Sequence, residues 1–359
     1  MKTNRLLLFL ALALLALALS ACGGTPAAAT WPGLAADENA AYLANGSVVF
    51  AVRLSDGEEL WSFPEKPGAK LIFYSNPVFT SDGQLLVGSS GAEHTIFRVD
   101  TETGNETWSF TEAKDHWVAS PLVDGEMVYA PNADGTLYVF DMAMEGNDKL
   151  AWKVEIGGKL WAQPVSDGEH LYITSLNHTI SVVDLQTHEA RTTTYLGGAI
   201  PGMPALGEGQ LYVGSFDSAM VAVNTDDGTV AWTTPVESWI WGGPILAGNA
   251  LYFGDLDGNF YSVNAADGTI IDSTKPDGPI LASPLFLNGK VIFVTEDGTV
   301  YSLTPGENPQ SMEKLDGKLY TAPVAAGNLL LIAPFQGEFL LVALDMDGKE
   351  EWHYPMVQK

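Results

Sequence analysis

The stretch PALGEGQLYVGSFDSAMVAVNTDDGTVAW, Pro204 to Trp232, decides the fold. An apolar start follows the proline, then a turn over Gly207 to Gly209 and a strand-like run, Leu211-Tyr212-Val213. A second turn around Asp217 leads to Met220 to Val223, and an Asp227-Gly228 turn leads to a short strand ending on Trp232. Four short strands joined by tight turns form a meander, and a single meander cannot bury both of its faces. The unit therefore needs neighbours of its own kind.

The chain supplies them. Pro32, Pro77, Pro121, Pro164, Pro204, Pro244, Pro284 and Pro323 recur at intervals of 39 to 45 residues, the period of a four-stranded propeller blade. Each proline precedes an apolar pair and a turn such as Asp124-Gly125, Asp167-Gly168 or Asn288-Gly289. An apolar second strand follows, as in Leu171-Tyr172-Ile173 or Leu251-Tyr252-Phe253. Polar hairpins then carry Asp134-Gly135, Asp257-Gly258 and Asp297-Gly298, dipeptides suited to the positive φ of tight hairpin turns. The pattern predicts an all-β protein, an eight-bladed β-propeller of four-stranded antiparallel blades, occupying residues 32–359. A ring of twisted sheets covers both faces of every blade and leaves only short outer edges. Seven blades is the alternative if the first repeat supplies only part of a sheet. Ring closure is expected blade against blade, because the last repeat holds its own outer strand near Glu350 to Tyr354.

The N-terminus carries an address. Lys2 and Arg5 precede an apolar run from Leu6 to Leu19, and Leu19-Ser20-Ala21 leads into Cys22. A basic region, a short apolar core and small residues before a cleavage point define a secretory signal over residues 1–21. The placement of Cys22 resembles a bacterial lipobox, which implies lipidation of that residue and a short tether over residues 22–31. Cys22 is the one cysteine, so no disulfide can form within the chain. The apolar run is shorter than the ~20 residues of a spanning helix. The expected location is the bacterial cell envelope, periplasmic or outer surface, with the membrane reached through Cys22. The formal net charge is −27, and removal of residues 1–21 deletes only positive charges. Such a field disfavours nucleic acid and keeps a secreted protein soluble. A monomer is expected.

The third and fourth strands resemble the PQQ-like β-propeller repeat family, whose signature is roughly Ala-x-Asp-x-x-Thr-Gly-x-x-x-Trp. Matching positions are Val99-Asp100 to Thr103-Gly104 with Trp108, Ala222 and Asp227-Gly228 with Trp232, and Ala51 and Asp56-Gly57 with Trp61. A shorter copy ends on Trp352 and a longer one on Trp152, whereas Thr192, Asp272 and Met312 stand at the tryptophan position elsewhere. The resemblance implies that Trp61, Trp108, Trp152, Trp232 and Trp352 dock neighbouring blades. Quinoprotein dehydrogenases of this family bind pyrroloquinoline quinone with calcium, and many carry an adjacent cysteine pair that this chain lacks. The nearer likeness is to the lipid-anchored propeller subunit of outer-membrane β-barrel assembly, which implies a non-catalytic scaffold with envelope proteins or peptides as partners. The alternative is a quinone- or small-ligand-binding redox module.

Little catalytic chemistry is legible. The six histidines are scattered through different repeats without metal-ligand spacing. Asp255, Asp257 and Asn259 place oxygens on alternate residues, as a calcium loop begins, but lack the glycine and distal glutamate of a full loop. A hairpin turn accounts for them equally well. No nucleophile–base motif or phosphate-cradling loop stands out. One constellation remains. Two residues before the prolines stand the small residues Ser75, Ala119, Ala162, Gly202, Gly242, Ala282 and Thr321, suited to a narrow axial channel. One position earlier stand Tyr74, Val118, Trp161, Pro201, Trp241, Leu281 and Tyr320. Together with Trp117, Trp239 and Ile240 these are expected to form an aromatic collar around the channel mouth. Aromatic anchors of this kind suit a partner- or ligand-binding face, and packing between blades is the plainer explanation.

Overall fold

The computed structural model describes residues 31–68 and 70–355; the expected signal peptide and Cys22 lie outside them. Every repeat forms one sheet. There are eight four-stranded antiparallel sheets, each with its strands in chain order. They span residues 33–63, 78–110, 122–155, 165–195, 205–235, 245–274, 285–314 and 324–354, here blades 1 to 8. The first repeat contributes a complete sheet, so the seven-bladed alternative falls away.

Strand periodicity explains the ring. In the second strand of blade 5, Gln210–Ser215, Leu211 and Val213 pack with Tyr172 and Val182 of blade 4. Tyr212, between them, packs with Leu251 and Phe253 of blade 6. Successive side chains point to opposite faces of a sheet, so one strand feeds two cores. The buried residues accordingly divide into eight clusters, each straddling one junction between adjacent blades. Outer strands have only one such face; Leu150–Glu155 alternates half-buried and exposed.

No strand is shared at the closure. Leu34, Leu43 and Val52 of blade 1 pack with Leu331, Leu341 and Ala343 of blade 8. Trp352 Nε1 donates to the Leu54 carbonyl at 2.7 Å, and the Tyr354 hydroxyl to Glu59 at 2.5 Å. Thr321 Oγ1 donates to the Pro32 carbonyl.

Candidate functional site: the aromatic mouth

The segments that carry the chain from one blade to the next run in extended conformation over one face, and their alternation decides what each residue meets. Three residues before each proline, Tyr74, Val118, Trp161, Pro201, Trp241, Leu281 and Tyr320 line a cavity of about 270 Å³ on the axis. Four residues before, Phe73, Trp117, Leu160, Ile200, Ile240, Ile280 and Leu319 are each at most 1 % exposed and seal the blade junctions. Five residues before, the side chains turn outward again, and Trp239 is 51 % exposed.

This register corrects the expected collar. Trp117 does not reach the mouth: it lies between blades 2 and 3, its Nε1 donating to the His94 carbonyl at 3.1 Å and its ring 5.5 Å from that of Tyr138. Ile240 is buried likewise, against Gly214, where an added Cβ would come within 2.3 Å of the isoleucine. Tyr74, Trp161, Trp241 and Tyr320 do converge on the mouth, and Trp239 stands on its rim. The small residues beneath them are closely packed: a Cβ on Gly202 would approach the Trp241 carbonyl to 2.7 Å.

The centre of the mouth is filled by a residue that the sequence reading left in the tether. Trp31 stacks on Tyr320 at 4.7 Å between ring centroids and lies 5.2 Å from Trp241 and 5.8 Å from Tyr74. From there an aromatic chain runs outward: Trp241 meets Phe216 at 5.4 Å, and Phe216 stacks on the exposed Trp239 at 4.9 Å. On the other side Tyr320 meets Phe335 at 5.7 Å. Phe216 and Phe335 occupy the same position of blades 5 and 8, twelve residues after the proline, but escaped the sequence reading because the other blades carry no aromatic residue there. Burial pushes the Tyr74 hydroxyl up to about 12. Burial also raises Tyr320, helped by its 3.0 Å hydrogen bond to Glu296, which in turn pairs with Lys318. Both phenols are therefore neutral donors at physiological pH.

The cavity does not fit the quinone that the family resemblance raised as an alternative. None of its lining side chains is charged, so a tricarboxylate and its calcium ion would find no counter-charge or anionic ligand there, and Trp31 already takes the stacking position. The Asp255–Asn259 segment is a turn. Asp255 is fully buried and accepts from the Asn259 backbone at 2.8 Å, from its amide group and from the Tyr261 hydroxyl at 3.0 Å, while Asp257 faces solvent. Both Asp255 oxygens accept from the hairpin's own donors. The histidines are less scattered than their spacing indicates, since the rings of His94 and His116 lie 4.9 Å apart.

At the blade periphery, Trp61, Trp108 and Trp232 donate from Nε1 to carbonyls of the following blade, those of Thr101, Asn147 and Ala265, at 2.7 to 3.0 Å. Trp352 does the same across the closure. Trp61 covers Gly104, whose φ is 71° and whose Cβ, if present, would sit 2.7 Å from the indole. Trp152 instead stacks on His188 at 4.1 Å; this histidine occupies the glycine position of blade 4 with φ 61°.

The arrangement defines a class, the eight-bladed propeller of PQQ-like repeats with an uncharged aromatic mouth. Residues 44–149, 142–238 and 234–356 match the family described as outer membrane protein assembly factor BamB, and the chain belongs to that family. Among solved structures it is similar to BamB from Moraxella catarrhalis, with 18 % identity and a TM-score of 0.69, covering 86 % of this chain and 92 % of that one. It is also similar to the computationally designed Ika8 protein, with 15 % identity and a TM-score of 0.70, covering 89 % and 98 %. At these identities the likeness is one of fold. No curated protein matches in sequence.

Proposed function

We propose that this protein is a non-catalytic scaffold of the bacterial envelope, anchored through a lipid on Cys22, that holds envelope proteins or peptides for outer-membrane assembly. The observation that carries the reading is the solvent-exposed Trp239, stacked on Phe216, which itself packs against Trp241, on the rim of a mouth occupied by Trp31. A flat ring held rigid from behind, with its outer face open, is the arrangement of an interface anchor, because little side-chain entropy is lost when a partner covers it. Family membership supports the same assignment.

The anchor and the mouth are linked through Trp31. Cys22 lies nine residues before it, a reach of at most about 32 Å at ~3.6 Å per residue, so the lipid turns the aromatic face toward the membrane. A partner bound there sits between scaffold and bilayer, where a membrane-inserting client is handled. Site-specific photo-crosslinking in intact cells tests this. A crosslinker at position 239 should capture an envelope protein, and one at Glu208, in a turn on the opposite face, should not. Trp239→Ala should reduce co-purification of the captured partner while leaving the circular dichroism spectrum unchanged. Equal capture from both faces, or equal co-purification from the folded variant, refutes the assignment.

A further inference from the structure

We propose that His94, Asp115 and His116 form a binding site for a divalent transition-metal ion such as Zn²⁺ or Cu²⁺. The three lie in two loops on the mouth face: His94 between the second and third strands of blade 2, Asp115 and His116 in the connection from blade 2 to blade 3. One ligating atom from each lies within 4.8 Å of the other two, so a single ion can touch all three. The imidazole rings stand at 42° to each other, and Asp115 Oδ1 is in contact with His116 Nδ1. Two imidazoles and one carboxylate are a borderline donor set that suits Zn²⁺, Cu²⁺ or Ni²⁺ better than calcium or magnesium.

The backbone holds this geometry in place. Buried Trp117 ties the two loops together, its Nε1 donating to the His94 carbonyl at 3.1 Å and its backbone N–H to the Ser89 carbonyl at 3.2 Å. From blade 3, the Asn132 amide donates to the Asp115 carbonyl at 2.9 Å, and the Ala133 N–H to the His116 carbonyl at 3.1 Å. Ligands positioned by such outer contacts bind without first being ordered. The His116 and Asp115 side chains are 45 % and 26 % exposed, which leaves remaining coordination positions open to water.

Without an ion, Lys159 supplies the positive charge, its Nζ 3.2 Å from Asp115 Oδ2. That side chain is 54 % exposed and can swing outward when a metal arrives.

Calorimetric titration with ZnCl₂ tests the assignment, using the chain with Cys22→Ser so that its one thiol cannot compete. One saturable equivalent is expected. His94→Ala and His116→Ala should each weaken binding at least ~10-fold, and Lys159→Ala should tighten it by removing the competing cation. Electron paramagnetic resonance with Cu²⁺ should show two nitrogen ligands, reduced to one in either histidine variant. Each variant is checked for native circular dichroism. Absence of saturable binding, or binding that survives in folded His94→Ala and His116→Ala proteins, overturns the proposal.

Discussion

Gly104 shows how a single residue fixes the angle between two blades. Its φ of 71° is open to glycine at little cost, and the Trp61 indole lies where a side chain would begin. Gly104→Ala should therefore destabilise the protein by about 2–4 kcal/mol in urea denaturation, combining left-handed backbone strain with overpacking. In a Trp61→Ala background the same change should cost only about 1 kcal/mol, because the clash is gone and the backbone strain remains. His188 shows a different solution at the equivalent position: it accepts the positive φ and offers its ring to Trp152. Sequence could place the tryptophans and glycines of this pattern, since they recur. It could not show that His188 stands in for a glycine, because one occurrence makes no pattern.

Among the elements, the inter-blade connection carries most of the functional information, and its alternation was only partly legible. Tyr74, Trp161, Trp241 and Tyr320 could be assigned to the mouth because small residues follow them at a fixed offset. Trp117 was misplaced for want of register: it is one residue earlier than Val118, and in an extended segment one residue is the difference between axis and core. The same connections carry half-exposed charge held by hydrogen bonds. Asp277, between blades 6 and 7, accepts from Thr295 at 2.9 Å, Thr299 at 2.5 Å, Tyr301 at 3.2 Å and Lys314 at 2.8 Å. Burial alone would raise this carboxyl, but the hydrogen bonds from Lys314, Thr299 and Thr295 outweigh it and hold it at about 2. A carboxyl lowered on folding stabilises above its unfolded pKa and loses that contribution as pH falls through the folded value. Asp277→Ala should thus lower stability by about 1 kcal/mol near neutral pH, mostly through the unsatisfied threonine hydroxyls because solvent screens the exposed pair with Lys314, and the difference should narrow between pH 4 and pH 2. Denaturation at a series of pH values measures both.

For the whole molecule, the period of the prolines pointed to a ring of eight blades with seven as the alternative, because short meanders have few other ways to bury two faces each; the complete first sheet and the unshared closure came from the structure. The occupied mouth was not readable. Trp31 is a single residue at the edge of an unpatterned stretch, and only the ring brings it against Tyr320 and Trp241. Trp31→Ala should leave the blades folded but open the axis, so that acrylamide quenches the remaining tryptophan fluorescence more strongly. Added pyrroloquinoline quinone and calcium should leave no bound chromophore in either protein, given the uncharged lining. The closure has a further bearing on biosynthesis. Leu34 and Leu43 rest on Leu331 and Leu341, from the opposite end of the chain. At ~5–20 residues per second, the ribosome needs roughly 15–60 s to add the approximately 290 residues that separate blade 1 from Trp352. Throughout that interval the first sheet has one bare flank, and so does the newest. On the envelope location proposed above, export as an unfolded thread would postpone the problem until both ends are on the same side of the membrane, where the circle can be completed in one compartment.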